Sequence, residues 1–133
     1  MQITRQADYA LRAVIFLSRL NGDQKASTSV IAEQQKIPPS FLAKIVSQLS
    51  IAGLIQTSRG ARGGVSLAKP PEDISVLDVI EAIDGPVLLN ECATNSAACP
   101  FGEACPLQHI WCDTRQDLIS KLSDATFAHS NVV

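Results

Sequence analysis

Four cysteines carry the most distinctive chemistry in this sequence: Cys92, Cys99, Cys105 and Cys112, all in the second half of a 133-residue chain. The intervals between them are six, five and six residues, which is not the paired C-x-x-C spacing of a zinc knuckle. Four thiols in a chain that reads as cytoplasmic are poor candidates for structural disulfides. Thiolates are soft ligands, and Cys92, Cys99 and Cys105 lie on irregular, glycine- and proline-marked sequence that can wrap an iron–sulfur cluster; tetrahedral zinc stands as the alternative. Cys112 is set apart. If Pro106 opens a helix with Cys105 as its cap, Cys112 lies roughly 10 Å further along the axis and reads as a packed small residue.

Charge is divided unevenly along the chain. Residues 1–70 carry nine Lys/Arg against three Asp/Glu, whereas residues 71–133 carry two against ten, although the whole chain is only −2. A basic half can form an electrostatic footprint for nucleic acid even when the whole protein is acidic. No run of about 18 uncharged apolar residues is present, and the first residues lack the order of a signal peptide. The expectation is a cytoplasmic protein with no membrane partner.

The elements that must position these residues follow from periodicity. Thr4 is an N-cap for a helix to about Leu20, apolar nearly all round and so central to a core. Ser27 or Thr28 opens a short second helix to about Gln35, and Pro38-Pro39 turns the chain into a third. That helix carries Leu42, Ile45, Val46 and Leu49 on one face and stops at Gly53. Two strand-like runs, 54–58 and 65–68, flank the glycine-rich tip Arg59-Gly60-Ala61-Arg62-Gly63-Gly64. Ser75 or Asp73 caps a further helix that ends at Gly85-Pro86, and Pro106 starts a last one through Leu122.

This order predicts a mainly α fold: a winged helix-turn-helix with a small two-stranded wing and a long C-terminal dimerisation helix. The expected divisions are a DNA-binding domain over 1–70, a connecting helix over 71–86, a cysteine-bearing loop over 87–105, and a dimerisation helix with tail over 106–133. Nothing in the arm's own sequence offers a cover for its apolar residues, so a second copy is the expected one.

A recognition helix buries one face and offers short polar or basic side chains to the major groove. Ser40, Lys44 and Ser47 fall at i, i+4 and i+7 on the free face of the third helix. Arg59 and Arg62, on the backbone that Gly63 and Gly64 permit, suit phosphate or minor-groove contact. The expected partner is a double-stranded DNA operator; a winged-helix module that binds only protein is the competing class. No nucleophile–base pairing, phosphate loop or zinc–glutamate motif is visible, so no enzyme activity is expected.

The sequence resembles the IscR/NsrR-type regulators of the Rrf-two family. The match is carried by Gln2-Ile3-Thr4, by Asp8-Tyr9-Ala10-Leu11-Arg12-Ala13, by Leu42 through Leu49, by Gly53-Leu54, by residues 59–64, and by three cysteines before a long helix. The resemblance implies a homodimeric transcription regulator whose operator binding is controlled by a 2Fe–2S or 4Fe–4S cluster. Redox state, nitric oxide or iron and cluster status would be its signal, with zinc or thiol-based sensing as the alternative. It implies Cys92, Cys99 and Cys105 as ligands. IscR-like members place a histidine three residues after the third cysteine, where this chain has Gln108, with His109 one later. NsrR-like members use an aspartate, matched here by Asp8, that reaches across from the other subunit. Asp8 is therefore the leading fourth ligand, against an ordinary i,i+4 ion pair with Arg12.

Overall fold

The computed structural model describes residues 2–20, 24–61, 63–89 and 105–128. Cys92, Cys99 and Arg62 fall outside them.

Thr4 lies in an extended conformation and accepts the Ala7 N–H at 3.1 Å, which opens α1 (Arg5–Ser18). Ala7, Ala10, Ala13, Val14 and Leu17 of this helix are buried. Ser27 caps α2 (Thr28–Gln35) through the Val30 N–H. The chain leaves α2 at Lys36, held left-handed at φ 54°, a conformation that strains any residue with a Cβ. Pro39 then begins α3 (Pro39–Ile51), whose Leu42, Ile45 and Leu49 are buried, with Val46 half-buried beside them. Gly53, at φ +77°, ends the run.

The wing is an antiparallel pair, β1 (Ile55–Ser58) and β2 (Gly64–Leu67), with Ile55 opposite Leu67 and Ser58 opposite Gly64. Residues before α2 add a third edge: Ala26 and Val65 exchange both backbone bonds, at 3.0 and 2.7 Å. A short 3-10 turn (Pro71–Asp73) leads to α4 (Val76–Asp84), and Ser75 is its cap. Ser75 and Asp78 form a reciprocal capping box with both bonds at 3.0 Å. The mainly α winged helix with a separate C-terminal helix is thus as the sequence predicts.

The last helix departs from expectation. It is α5 (Gln108–Asp124), two residues later than a start at Pro106. Cys105-Pro106-Leu107 instead makes a turn closed by the Gln108 N–H on the Cys105 carbonyl at 3.2 Å, and proline suits the second position of such a turn. Cys105 therefore precedes the helix rather than capping it. The arm also has cover within its own chain, because α5 packs against α4. Beyond α5 the chain returns to the core. Thr126 bridges Ser75, the Phe127 N–H reaches the Pro71 and Ile74 carbonyls, and the Phe127 ring is 2% exposed.

Phe127→Ala should cost about 3–5 kcal/mol, the usual loss for a buried phenylalanine, read from urea unfolding. A loss below about 1 kcal/mol would show that the tail is not part of the core.

Candidate nucleic-acid interface and thiolate site

Ser40, Lys44 and Ser47 are exposed, on the side of α3 opposite its buried Leu42, Ile45 and Leu49. The core pattern thus leaves one polar face of α3 free. At the wing tip Arg59 is exposed. Of the tip glycines, Gly63 and Gly64 are the two closely hemmed in. A Cβ at Gly63 would collide with the Ser58 and Arg59 backbone, and one at Gly64 would lie 2.9 Å from the Ala26 carbonyl at a φ of +152°. The glycines let β2 pass tightly under the tip while still pairing with Ala26.

Lys25 belongs to this surface, although no local pattern in the sequence marks it. Its Nζ donates to the Ser58 Oγ at 2.8 Å, which places a cation beside the tip end of the wing. Beside it, a cleft of about 270 Å³ is lined by Ser27, Thr28, Thr57, Ser58 and the wing glycines. Hydroxyls and backbone N–H groups of this kind suit phosphate oxygens.

Asp8 and Arg12 form the ion pair that their spacing allows. Arg12 Nη2 and Nε both donate to Asp8 Oδ2, at 2.8 and 3.1 Å, with side-chain exposures of 37% for Arg12 and 57% for Asp8. Both bonds end on Oδ2. The carboxylate opens onto a depression walled by Gln2, Ile3, Thr4 and Arg5. Arg12 is engaged on two further sides. Nη1 donates to the carbonyl of Gln35, the last residue of α2, at 3.1 Å, and Cζ lies 4.9 Å over the Tyr9 ring. Tyr9 in turn meets Phe41, in the first turn of α3, at 6.1 Å between ring centres. One guanidinium therefore touches the carboxylate, the turn between α2 and α3, and the aromatic pair beneath the start of α3.

Cys105 is half-buried with a free thiol, on the turn before α5. Gln108 is the first helical residue and half-buried, and His109 is exposed. Cys112 is half-buried within α5 and forms no disulfide. Among the described residues no three His, Cys, Asp or Glu side chains gather to hold a metal. Of the candidate ligands, Cys105 and Asp8 lie among the described residues, and their soft thiol and carboxylate are donor types that iron accepts.

The profile of the Rrf2 family, described as iron-dependent transcriptional regulators, matches residues 3–129. The chain belongs to the Rrf2 family. Its fold aligns with CymR of B. subtilis, whose structure is described as that of the global cysteine regulator. The TM-score is 0.79 and the identity 26%, over 96% of this chain and 93% of that one. Staphylococcus aureus CymR aligns at TM-score 0.75 and 28% identity, over 98% of each chain. T. potens IscR shares the fold at TM-score 0.75 and 24% identity, over 96% of this chain and 83% of that one. Rrf2 proteins are transcription regulators rather than enzymes, and no described helix of this member is long and apolar enough to cross a membrane.

In the metal-free protein, Asp8→Ala should cost only about 0.3–0.5 kcal/mol, as an exposed i,i+4 pair does. Arg12→Ala should cost more, about 1–2 kcal/mol, because it also leaves the part-buried Gln35 carbonyl without its donor. Chemical denaturation of both variants reads the difference, and equal losses would mean that the Gln35 bond contributes nothing.

Proposed function

We propose that this Rrf2 protein is a homodimeric regulator that reads a double-stranded DNA operator and whose grip is set by an iron–sulfur cluster. In this reading Ser40, Lys44 and Ser47 of α3 enter the major groove. Arg59, Arg62 and the backbone at Gly63 and Gly64 bring the wing to phosphates or the minor groove. Cys92, Cys99 and Cys105 of one protomer and Asp8 of its partner would hold the cluster, either 2Fe–2S or 4Fe–4S. When bound, the group supplies a redox-active iron centre able to exchange ligands.

The observation that carries the reading is the run of contacts from Asp8 through Arg12 to Gln35 and, through Tyr9, to Phe41. Asp8 helps hold the guanidinium that braces both sides of the helix-turn-helix. Withdrawing its charge leaves Arg12 supported by the Gln35 carbonyl and the Tyr9 face alone. The turn between α2 and α3 is then free to resettle, and with it the angle of the reading face. That is a two-state element which a signal at Asp8 can bias.

A second reading has its own support, since two of the similar structures are of CymR, and S. aureus CymR has also been solved in an oxidised form at 28% identity to this chain. In that reading the same cysteines respond as thiols without a cluster. Anaerobic purification separates the two. Replacing Cys92, Cys99 or Cys105 by alanine should each abolish visible absorption, Cys112→Ala should retain it, and Asp8→Ala should leave a labile or altered chromophore. A colourless wild-type protein that carries no iron overturns the cluster reading in favour of the thiols.

Lys44→Ala, Arg59→Ala and Arg62→Ala should each weaken operator binding with the fold intact. If the dimer neutralises roughly eight phosphates, log K falls with a slope of about −7 against log salt, and the wing arginine variants flatten it. Wild-type affinity in all three would contradict the docking. For the dimer, Leu107→Asp with Ile110→Asp is the cleaner test, since truncation would also remove the buried Phe127. Leu107 and Ile110 are 47% and 44% exposed in the single chain, so the double variant should sediment as a folded monomer. An unchanged dimer would move the interface elsewhere.

A further inference from the structure

The outer face of the wing carries a lysine whose place is set by a glycine. Ile55 and Val65 are buried, so strand alternation turns Gln56, Ser58 and Ser66 to the opposite face. Ala26 is buried where it pairs with Val65, and Lys25, one residue earlier, therefore leaves on that outer face too. Its stem crosses β2 at Gly64. A Cβ on Gly64 would lie 3.2 Å from the Lys25 Cβ, and Gly64 stands opposite Ser58 in the ladder. The lysine thus reaches over a bare glycine to the far strand, where Nζ donates to Ser58 Oγ at 2.8 Å.

We propose that Lys25 and Ser58 form a two-donor seat for one phosphodiester of a DNA backbone, a contact additional to those of α3 and the wing tip. The inference rests on the DNA-binding reading above. An ammonium has three donors and a serine hydroxyl one, so the Nζ–Oγ bond leaves both groups able to donate. While Ser58 Oγ accepts from the lysine, its own hydrogen points elsewhere. The pair then presents two donors about as far apart as the non-bridging oxygens of one phosphate. Among the described residues the ion pair is that of Arg12 with Asp8, so no described carboxylate neutralises Lys25. Exposed Arg59 follows Ser58 directly. A groove of about 620 Å³ on the outer face is lined by Lys25, Gln56, Ser66 and Lys69, with no acidic residue in its described wall. A strip of cations and neutral donors continuous with the wing tip suits a chain of phosphates. Such contacts carry no base information, so the seat adds grip and not sequence choice.

The test uses the full-length protein and the duplex that the wild type retains most tightly from a random pool, with Lys25→Met, Lys25→Arg and Ser58→Ala. Lys25→Met should flatten the slope of log K against log salt by about 0.9 per bound protomer, the contribution of one neutralised phosphate. It should weaken selected and random duplexes by the same factor and leave the melting midpoint unchanged. Lys25→Arg should restore the slope, because the charge returns. Ser58→Ala should keep the slope yet lower affinity several-fold, because the ammonium loses its seat. The decisive arm replaces backbone phosphates one at a time by neutral methylphosphonates. At one linkage per bound protomer, the neutral linkage and Lys25→Met should cost no more together than either alone, whereas at all others their costs add.

Additive costs at every linkage, or wild-type affinity and slope in Lys25→Met, would overturn the seat alone, with the Lys44 and Arg59 variants still losing affinity. A wild type that retains no duplex would instead bring down the DNA-binding reading, and the seat with it. Inorganic phosphate, followed by phosphorus NMR, covers the other source of the same chemistry. Saturable phosphate binding that Lys25→Met abolishes, beside DNA affinity that it leaves unchanged, would assign the site to free phosphate and overturn the backbone contact.

Discussion

The packing of α1 against four neighbours at once is the constraint on which the rest of the molecule depends. Ala7, Ala10 and Ala13 are each 3% exposed or less, Val14 and Leu17 complete the buried set, and α1 meets α2, α3, α4 and β2. Methyl side chains let those elements approach the helix closely, and a close-packed interior resists insertion of larger ones. The head of α1 therefore cannot move without moving the recognition helix or α4. A functional consequence follows from where the polar residues sit. Thr4, Asp8 and Arg12 lie along that same helix and reach the end of α4, open solvent and the α2–α3 turn respectively.

This arrangement gives the two halves of the chain different work. The basic half supplies α3, the wing and Lys25, and its core is closed by Ile74, Val79 and Phe127 of the other half. The acidic half contributes α4, α5 and the cysteines, and it is fastened to the first half by the Thr4–Asp84 bonds, by the packing of α4 against α1 and α3, and by Phe127 in the shared core. In the proposed reading, a change in operator binding begins with a small shift at the Asp8–Arg12 brace.

The local elements were largely legible in the sequence. Pro39, Gly53, Ser75 and the glycine-rich tip each act through backbone torsions or caps a few residues away, so α3, the wing and α4 appear close to where the pattern puts them. What escaped was long-range. Phe127 is one aromatic beyond the last periodic helix, and nothing near it in sequence announces that Pro71 and Ile74 will receive it. The Arg115–Val87 and Thr4–Asp84 bonds span 28 and 80 residues, beyond the reach of any periodicity. Pro106 misled because proline serves equally well in a tight turn and in a first helical turn. For the candidate site, the exposed polar face of α3 and the Asp8–Arg12 pair were readable as helix faces, whereas Arg12's hold on Gln35 depends on how α1 and α2 dock.

The central claim is that the state of the thiolate site governs how tightly the protein holds DNA. It is tested most directly by measuring operator affinity on one anaerobic preparation before and after the metal is removed by a chelator, at fixed salt. The account predicts a shift of about 5–150-fold between the two forms, the usual range of allosteric coupling, and predicts that the shift collapses in Asp8→Ala. Identical affinities for the two forms, in a protein shown by its absorption spectrum to have carried a cluster, would contradict it.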